Sequence, residues 1–208
     1  MISCSQIARL LSGYGLAAKS DLSARIGTYI ELLLKWNRKI ALTTVTDPEE
    51  IVKFHFGESV FATSRYNLEK CRLADVGTGA GFPGLPLALA VPTLSVTLIE
   101  SNLKKCAFLA EILRELLIPN ARIFSGRMES FSPSAARFDF ITARAFGQFE
   151  ELRAWAKVQL SDTGRLILWV GEEDSKKIAT EPTWSWGPPD LIPRSKRRYV
   201  LAGSPRKR

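Results

Sequence analysis

Asp75, Gly77, Gly79, Gly81 and Gly84 fall within ten residues, Asp75-Val-Gly-Thr-Gly-Ala-Gly-Phe-Pro-Gly84, directly after the apolar pair Leu73-Ala74. Glycines at this density stop a strand, permit positive φ and let backbone approach a ligand closely, which is the chemistry of a nucleotide-binding loop. The alternative is a tight strand-to-helix turn. Gly79, Gly81 and Gly84 formally satisfy the G-x-G-x-x-G of a dinucleotide site. Two features oppose that match. A strand ending at Val76 makes Gly77 the first glycine used, and counting from it puts Phe82 at the third fingerprint position. Asp75 at the strand tip would also repel a pyrophosphate and welcome a cation. S-adenosyl-L-methionine carries an ammonium and a sulfonium but no phosphate, and suits an acid followed by G-x-G-x-G better.

Glu100 closes the next apolar run, Ser95-Val-Thr-Leu-Ile-Glu100, 23 residues after Gly77. An acid about 20 residues on is placed to accept the hydroxyls of a ribose; the competing role is a charge at the start of a helix. Further along, Ser125-Gly-Arg-Met128-Glu129 offers Met128 as an apolar face for an adenine and Glu129 for its exocyclic amine, unless the loop is a simple connector. Arg144 ends the run Ile141-Thr-Ala-Arg144-Ala-Phe146. It is placed to hold a cofactor carboxylate or a substrate phosphate, or to pair with a helix acid. His55, the only histidine, stands between Phe54 and Phe56, as a general base or as a packed core residue.

The elements that must position these residues alternate. Strands are expected near 72–76, 94–100, 121–124, 138–143 and 165–170, with helices near 83–90, 103–117 and 148–159. Strands separated by helices mean an α/β fold with a parallel, doubly wound sheet. Asp162-Thr163-Gly164 reads as a tight turn before the fifth strand, and Ser132-Pro133-Ser134 as a break in a connection. Ahead of the glycine loop lies an all-helical segment. Ser5 to Leu11 makes a short amphipathic helix, and Leu22, Ile26, Ile30, Leu33 and Leu34 continue to Trp36 in a long one. Asp47, Pro48, Glu49 and Glu50 supply an N-cap, a first-position proline and first-turn acids for a third helix reaching about Ala62. After Gly171 come a polar helix, a Pro/Trp-rich piece from Pro182 to Pro193 and a last strand, Arg198-Tyr-Val-Leu201, expected at the sheet edge.

Length and composition narrow the rest. The 208 residues suffice for one domain with an extension, divided here as 1–66, helical, and 67–208, catalytic with a basic tail. No run approaches the roughly 18 apolar residues of a membrane span, so a cytoplasmic protein is expected. Cys4, Cys71 and Cys106 lack C-x-x-C spacing, and a single histidine argues against zinc and against Ser-His or Cys-His catalysis. The net charge of +8 is concentrated in Arg194, Lys196, Arg197, Arg198, Arg206, Lys207 and Arg208. Such a terminus reads either as a nucleic-acid contact or as a solvated end.

The segment Asp75 to Pro86 resembles the signature of the bacterial 16S ribosomal RNA guanine-N7 methyltransferases, the glucose-inhibited division protein B family. Trp36 to Thr43, Asp47 to Glu50, His55 to Ser59, Leu98 to Ser101, Lys104 to Leu109, Arg127 to Glu129 and Thr142 to Ala145 extend the likeness over roughly residues 30 to 171. The resemblance implies a class I S-adenosylmethionine-dependent methyltransferase, Rossmann-like, with a helical N-terminal extension. It implies methyl transfer to guanine N7 in 16S rRNA of the small ribosomal subunit; a monomer is expected. Cofactor contacts follow at Gly77, Phe82, Met128, Glu129 and Arg144, beside the Gly79 and Glu100 of the residue-level reading. Ala41, Glu58 and Val170 stand where the family usually has Asn, Asp and Lys. Rival readings are a methyltransferase of another RNA, a protein or a small molecule, a nicotinamide-dependent oxidoreductase, and a non-catalytic RNA-binding protein.

Overall fold

The computed structural model describes residues 2–132, 137–144 and 147–206. Pro133, Ser134, Ala145, Phe146, Lys207 and Arg208, on which parts of the sequence reading rest, lie outside the described residues.

The chain opens with α1 (Cys4–Ser12), whose Ser3 and Gln6 form a reciprocal capping box, and α2 (Ser20–Asn37). Asp47 caps α3 (Pro48–Ile51) by accepting from the Glu50 amide at 2.9 Å. The expected third helix does not run on uniformly. It passes through a π-helical stretch, Val52–Gly57, into α4 (Glu58–Val60) and a 3-10 turn, Phe61–Ser64. Then β1 (Arg72–Val76), α5 (Gly84–Ala90), β2 (Ser95–Glu100), α6 (Leu103–Glu115), β3 (Ala121–Ser125), β4 (Phe138–Arg144), α7 (Phe149–Gln159) and β5 (Leu160–Gly171) alternate as expected. The chain finishes with α8 (Glu172–Ala179), β6 (Trp184–Trp186), β7 (Asp190–Leu191) and β8 (Arg198–Pro205).

The sheet order is β3-β2-β1-β4-β5-β8-β6, with β7 also on β8; β1 to β5 are parallel and β8 runs antiparallel to β5. The order reverses between β1 and β4, so the ligand crevice of an open α/β sheet belongs at their carboxyl ends. Two expectations need correction. Asp162-Thr163-Gly164 lies inside β5, where the register against β4 shifts between Phe138 and Phe140. The last strand is not an edge: β6 and β7 cover its outer side, and Val200 and Leu201 are fully buried.

Alternation along the strands splits the core by face. Leu73, Leu98, Ile167, Trp169 and Val200 pack with α1, α2, the π-helical stretch, α5 and α6; Ala74, Ile99, Leu168, Val170 and Leu201 pack with α7 and α8. The N-terminal helices therefore share one apolar cluster with the sheet rather than holding a core of their own.

Candidate active site

The β1–α5 loop is built around Asp75. Its carboxylate is fully buried and lines neither of the two cavities at this end of the sheet. Oδ2 accepts from Thr78 Oγ1 at 2.6 Å and the Gly84 amide at 2.9 Å, and Oδ1 from Thr142 Oγ1 at 2.8 Å. A Cβ on Gly84 would come within 2.8 Å of Asp75 Oδ2, which is why glycine stands there. Burial pushes the Asp75 carboxyl up to about 6, against the pull of Thr78, Thr142 and Gly84. The sequence-level idea that Asp75 welcomes a cation is thus corrected: its acceptor capacity is spent on folding the loop.

Glu100 ties the loop to β2. Its Oε2 accepts from the Gly79 amide at 2.9 Å and its Oε1 from the Asn102 amide at 2.8 Å. Each oxygen keeps a lone pair for a further donor. The glycines that fit a dinucleotide fingerprint all have committed amides: Gly79 donates to Glu100, Gly81 to the Thr78 carbonyl at 2.8 Å, Gly84 to Asp75. None is left for a pyrophosphate.

Beside the loop, at the ends of β1, β2 and β3, lies a cavity of about 250 Å³ lined by Gly77, Glu100, Ser101, Arg127, Met128, Glu129 and Gln148. Gly77, at φ +64°, turns the backbone along its wall in a conformation that L side chains rarely adopt. Two carboxylates against one arginine give the cavity an acidic lining, and Met128 is buried behind it. Four residues predicted from sequence, Gly77, Glu100, Met128 and Glu129, are brought together here. Gly79 braces them through Glu100. Two are not. The Phe82 ring is buried in an aromatic cluster, stacked on Tyr29 at 5.6 Å and on His55 at 4.7 Å. Arg144 faces the neighbouring cavity.

That second cavity, about 450 Å³, opens at the ends of β4 and β5; its lining includes Glu58, Arg144, Phe149, Trp169, Asp174 and Arg198. Gly147 belongs to its wall and Gln148 to the first cavity's, so the segment leading into α7 contributes to both. Arg144 pairs with a helix acid, as one sequence-level alternative had it. Its Nη2 lies 3.2 Å from Glu58 Oε2, and Arg198 Nη2 lies 2.7 Å from Glu58 Oε1. The Glu58 side chain is only 2% exposed, and burial raises its carboxyl despite both arginines. Trp169 Nε1 donates to the Glu58 carbonyl at 2.7 Å, and Arg198 lies over the Phe54 ring at 4.5 Å. From sequence Glu58 was noted only as a departure from the family's Asp, and Trp169 and the role of Arg198 were not singled out. The available signal was a lone carboxylate inside the apolar run Phe54 to Phe61.

His55 is a packed residue. Its Nε2 sits 2.7 Å from Thr43 Oγ1, and burial, helped by Arg144 and Arg198, lowers its pKa to about 4. Among the described residues, the basic stretch from Arg194 to Arg198 is not a loose end. Ser195 Oγ accepts from the amides of Arg197 and Arg198, closing a turn that enters β8, and the Arg194 guanidinium rests on Gly13 at the end of α1. Arg194, Lys196 and Arg197 remain exposed on that turn. Among the described residues no group of three His, Cys, Asp or Glu could hold a metal, and no helix is long and apolar enough to cross a membrane.

The sequence model of the family described as rRNA small subunit methyltransferase G matches residues 23–185. The chain belongs to that family. A ribosomal RNA small subunit methyltransferase G of Xanthomonas campestris pv. campestris is 40% identical over 182 residues, 86% of this chain and 84% of its own length. One of Pseudomonas aeruginosa is 33% identical over 177 residues, 85% of this chain and 82% of its own. Among solved structures, a precorrin-6y C5,15-methyltransferase of Geobacter metallireducens superposes with a TM-score of 0.61 at 13% identity, covering 82% of this chain and 96% of that one. The fold of this member of the rRNA small subunit methyltransferase G family is thus that of class I methyltransferases, as the glycine loop implied.

Proposed function

We propose that this chain transfers a methyl group from S-adenosyl-L-methionine to N7 of a guanine in 16S rRNA of the small ribosomal subunit. The observation that carries the reading is the acidic cavity beside a loop whose fingerprint amides are already spent. Such a site disfavours a pyrophosphate and suits a cationic adenosine derivative. Glu100 would accept the ribose hydroxyls, Met128 and Glu129 would receive the adenine, and Gly77 would let the chain pass close to the amino acid end. Bound there, the cofactor supplies an electrophilic methyl on a sulfonium.

The protein's share of the chemistry is alignment. Guanine N7 presents a free lone pair, which forms the new N–CH3 bond as the S–CH3 bond breaks and its electron pair stays on sulfur. No proton has to move, which suits a site whose nearby histidine stays neutral. Holding nitrogen, carbon and sulfur in line at near-attack distance supplies the rate. Residues 67–208 form the catalytic unit and residues 1–66 the extension that walls its acceptor side through Glu58. The exposed Arg194, Lys196 and Arg197 would meet the rRNA backbone of a protein acting as a cytoplasmic monomer. The test is incubation with labelled S-adenosylmethionine and small subunits lacking the modification, followed by mapping of the label. Label on guanine N7 is expected; label elsewhere, or none, overturns the reading.

A further inference from the structure

The glycine loop is not built by the sheet and its own helices alone. Tyr29, from the middle of α2 in the N-terminal extension, is fully buried, and its hydroxyl donates to the Ala80 carbonyl at 2.6 Å. Burial and the neighbouring Asp75 push the phenol well above its usual pKa, so it stays protonated and stays a donor. The same peptide unit is held at its other end, where the Gly81 amide donates to the Thr78 carbonyl at 2.8 Å. Gly79 and Gly81, at φ +58° and +91°, flank Ala80. With no Cβ on either neighbour, the Ala80–Gly81 peptide could rotate at little steric cost, so the two hydrogen bonds are what fix it. A Cβ on Gly81 would collide with the Tyr29 hydroxyl, and the Tyr29 ring stacks on Phe82, the next residue, at 5.6 Å.

Resting on the function proposed above, which puts the methyl donor beside this loop, we infer that Tyr29 is a positioning residue for cofactor binding, through which the N-terminal extension presets the glycine loop. The link is short. Tyr29 holds Ala80, and the preceding residue, Gly79, donates to Glu100 Oε2, the carboxylate proposed for the ribose. A loop whose Ala80–Gly81 peptide swings populates arrangements in which that carboxylate and the turn at Gly77 are misplaced, and apparent affinity falls with the fraction that remains competent. The seat of α2 does not depend on the hydroxyl. Arg25 Nη2 donates to the carbonyl of Leu116, just past α6, at 2.7 Å, and Trp36 Nε1 donates to Glu111 Oε2 on α6 at 2.8 Å. The Tyr29 ring also packs edge-on against Phe56 at 5.1 Å. Removing the hydroxyl therefore leaves helix and ring in place and releases one end of one peptide.

The test compares Tyr29→Phe with Trp36→Phe, which removes a hydrogen bond of the same helix away from the loop. Calorimetry with S-adenosylhomocysteine should show affinity about three- to tenfold weaker in Tyr29→Phe, the worth of one buried hydrogen bond, and unchanged in Trp36→Phe. In small-subunit methylation the KM for S-adenosylmethionine should rise by the same factor in Tyr29→Phe, while kcat and the KM for the subunit stay as in the wild type, because bound cofactor restores the loop. Hydrogen exchange gives a second reading. The Gly81 amide should be protected in the wild type before any cofactor is added, exchange faster in Tyr29→Phe by that factor, and regain its protection at saturating S-adenosylhomocysteine. Wild-type affinity in Tyr29→Phe, whatever its stability, reduces the hydroxyl to a group that only supports the fold and overturns the inference. So does an unprotected Gly81 amide in the free wild type, or an equal loss of affinity in Trp36→Phe. A wild type that binds no S-adenosylhomocysteine defeats the proposed function instead, before the variants are compared.

Discussion

Thr142 on β4 donates its hydroxyl to Asp75 Oδ1 on β1 at 2.8 Å, across the two neighbouring strands where the sheet order reverses. The bond joins the strand that launches the glycine loop to the strand that presents Arg144. Thr142→Val keeps the shape and removes the donor, leaving one oxygen of a fully buried carboxylate without its only side-chain partner. The expected cost is about 1–3 kcal/mol of stability, with the Asp75 carboxyl pushed further up. Urea unfolding of the two proteins at neutral pH measures it; equal midpoints would show that the bond contributes nothing.

Gly77→Asp should abolish cofactor binding. The residue sits at φ +64°, where a side chain strains the backbone, and it lines the acidic cavity, where a third carboxylate would fill space meant for the ligand. Calorimetry with S-adenosylmethionine reads the outcome directly, and retained affinity contradicts the placement of the cofactor beside this loop.

Much of this arrangement was legible in the chain, and what was not has a common cause. Alternation in Ser95 to Glu100 and the apolar spacing of Leu22 to Leu34 located their elements closely, because those signals are local. The four residues that gather in the acidic cavity were likewise found as strand-end residues. What failed was direction. An acid at position 75 reads as a strand tip, but whether it points into a cleft or into the loop depends on Thr142, 67 residues away. The partner of Arg144 was not legible either, because Glu58 is 86 residues distant and lies past a π-helical stretch that no hydrophobic period announces. The short β6 and β7 were hidden in a Pro/Trp-rich segment whose pairing is dictated by β8.

Removing the Glu58 charge should be among the more damaging single changes outside the loop. Glu58→Gln leaves the mostly buried Arg144, 19% exposed, facing Arg198 with only the buried Asp75 carboxylate to offset it. Breaking a buried pair by losing one partner costs roughly 3–5 kcal/mol. Glu58→Asp, which keeps the charge on a shorter arm, should recover part of that loss. Thermal or urea unfolding of the three proteins gives the order wild type, Asp, Gln; a Gln variant as stable as wild type would mean the arginines are solvated without it.

The exposed turn before β8 can be tested only by substitution. Deleting residues 194 to 208, the obvious way to remove the basic tail, would also remove β8 from between β5 and β6 and unfold the sheet. Lys196→Ala with Arg197→Ala leaves every strand pairing in place, so stability should stay within about 0.5 kcal/mol. Subunit affinity should fall, and the slope of log affinity against log salt should flatten by about 0.7–0.9 for each phosphate that is no longer neutralised. An unchanged slope would place the RNA on another face.

His55 fixes the sign of one pH dependence. Burial holds its folded pKa near 4 against about 6.5 unfolded, so the unfolded chain binds the proton more readily between those values. The stability due to neutral His55 is complete above pH 6.5 and is lost as pH falls toward 4, by an amount on the order of 2–3 kcal/mol after allowing for partial exposure. Asp75 acts oppositely: with its folded value near 6, it takes up a proton more readily in the folded protein and favours folding as pH drops through 6 toward 3.8. The two cancel in part in the wild type, so the informative quantity is the stability difference between wild type and His55→Gln. That difference should shrink steadily from pH 7 to pH 4.5. Over the same titration the methylation rate should show no inflection at 6.5, because a ring that stays neutral there has no proton to exchange and N7 needs none removed. A rate that halves near pH 6.5 and loses that step in His55→Gln would make the histidine a participant in the reaction.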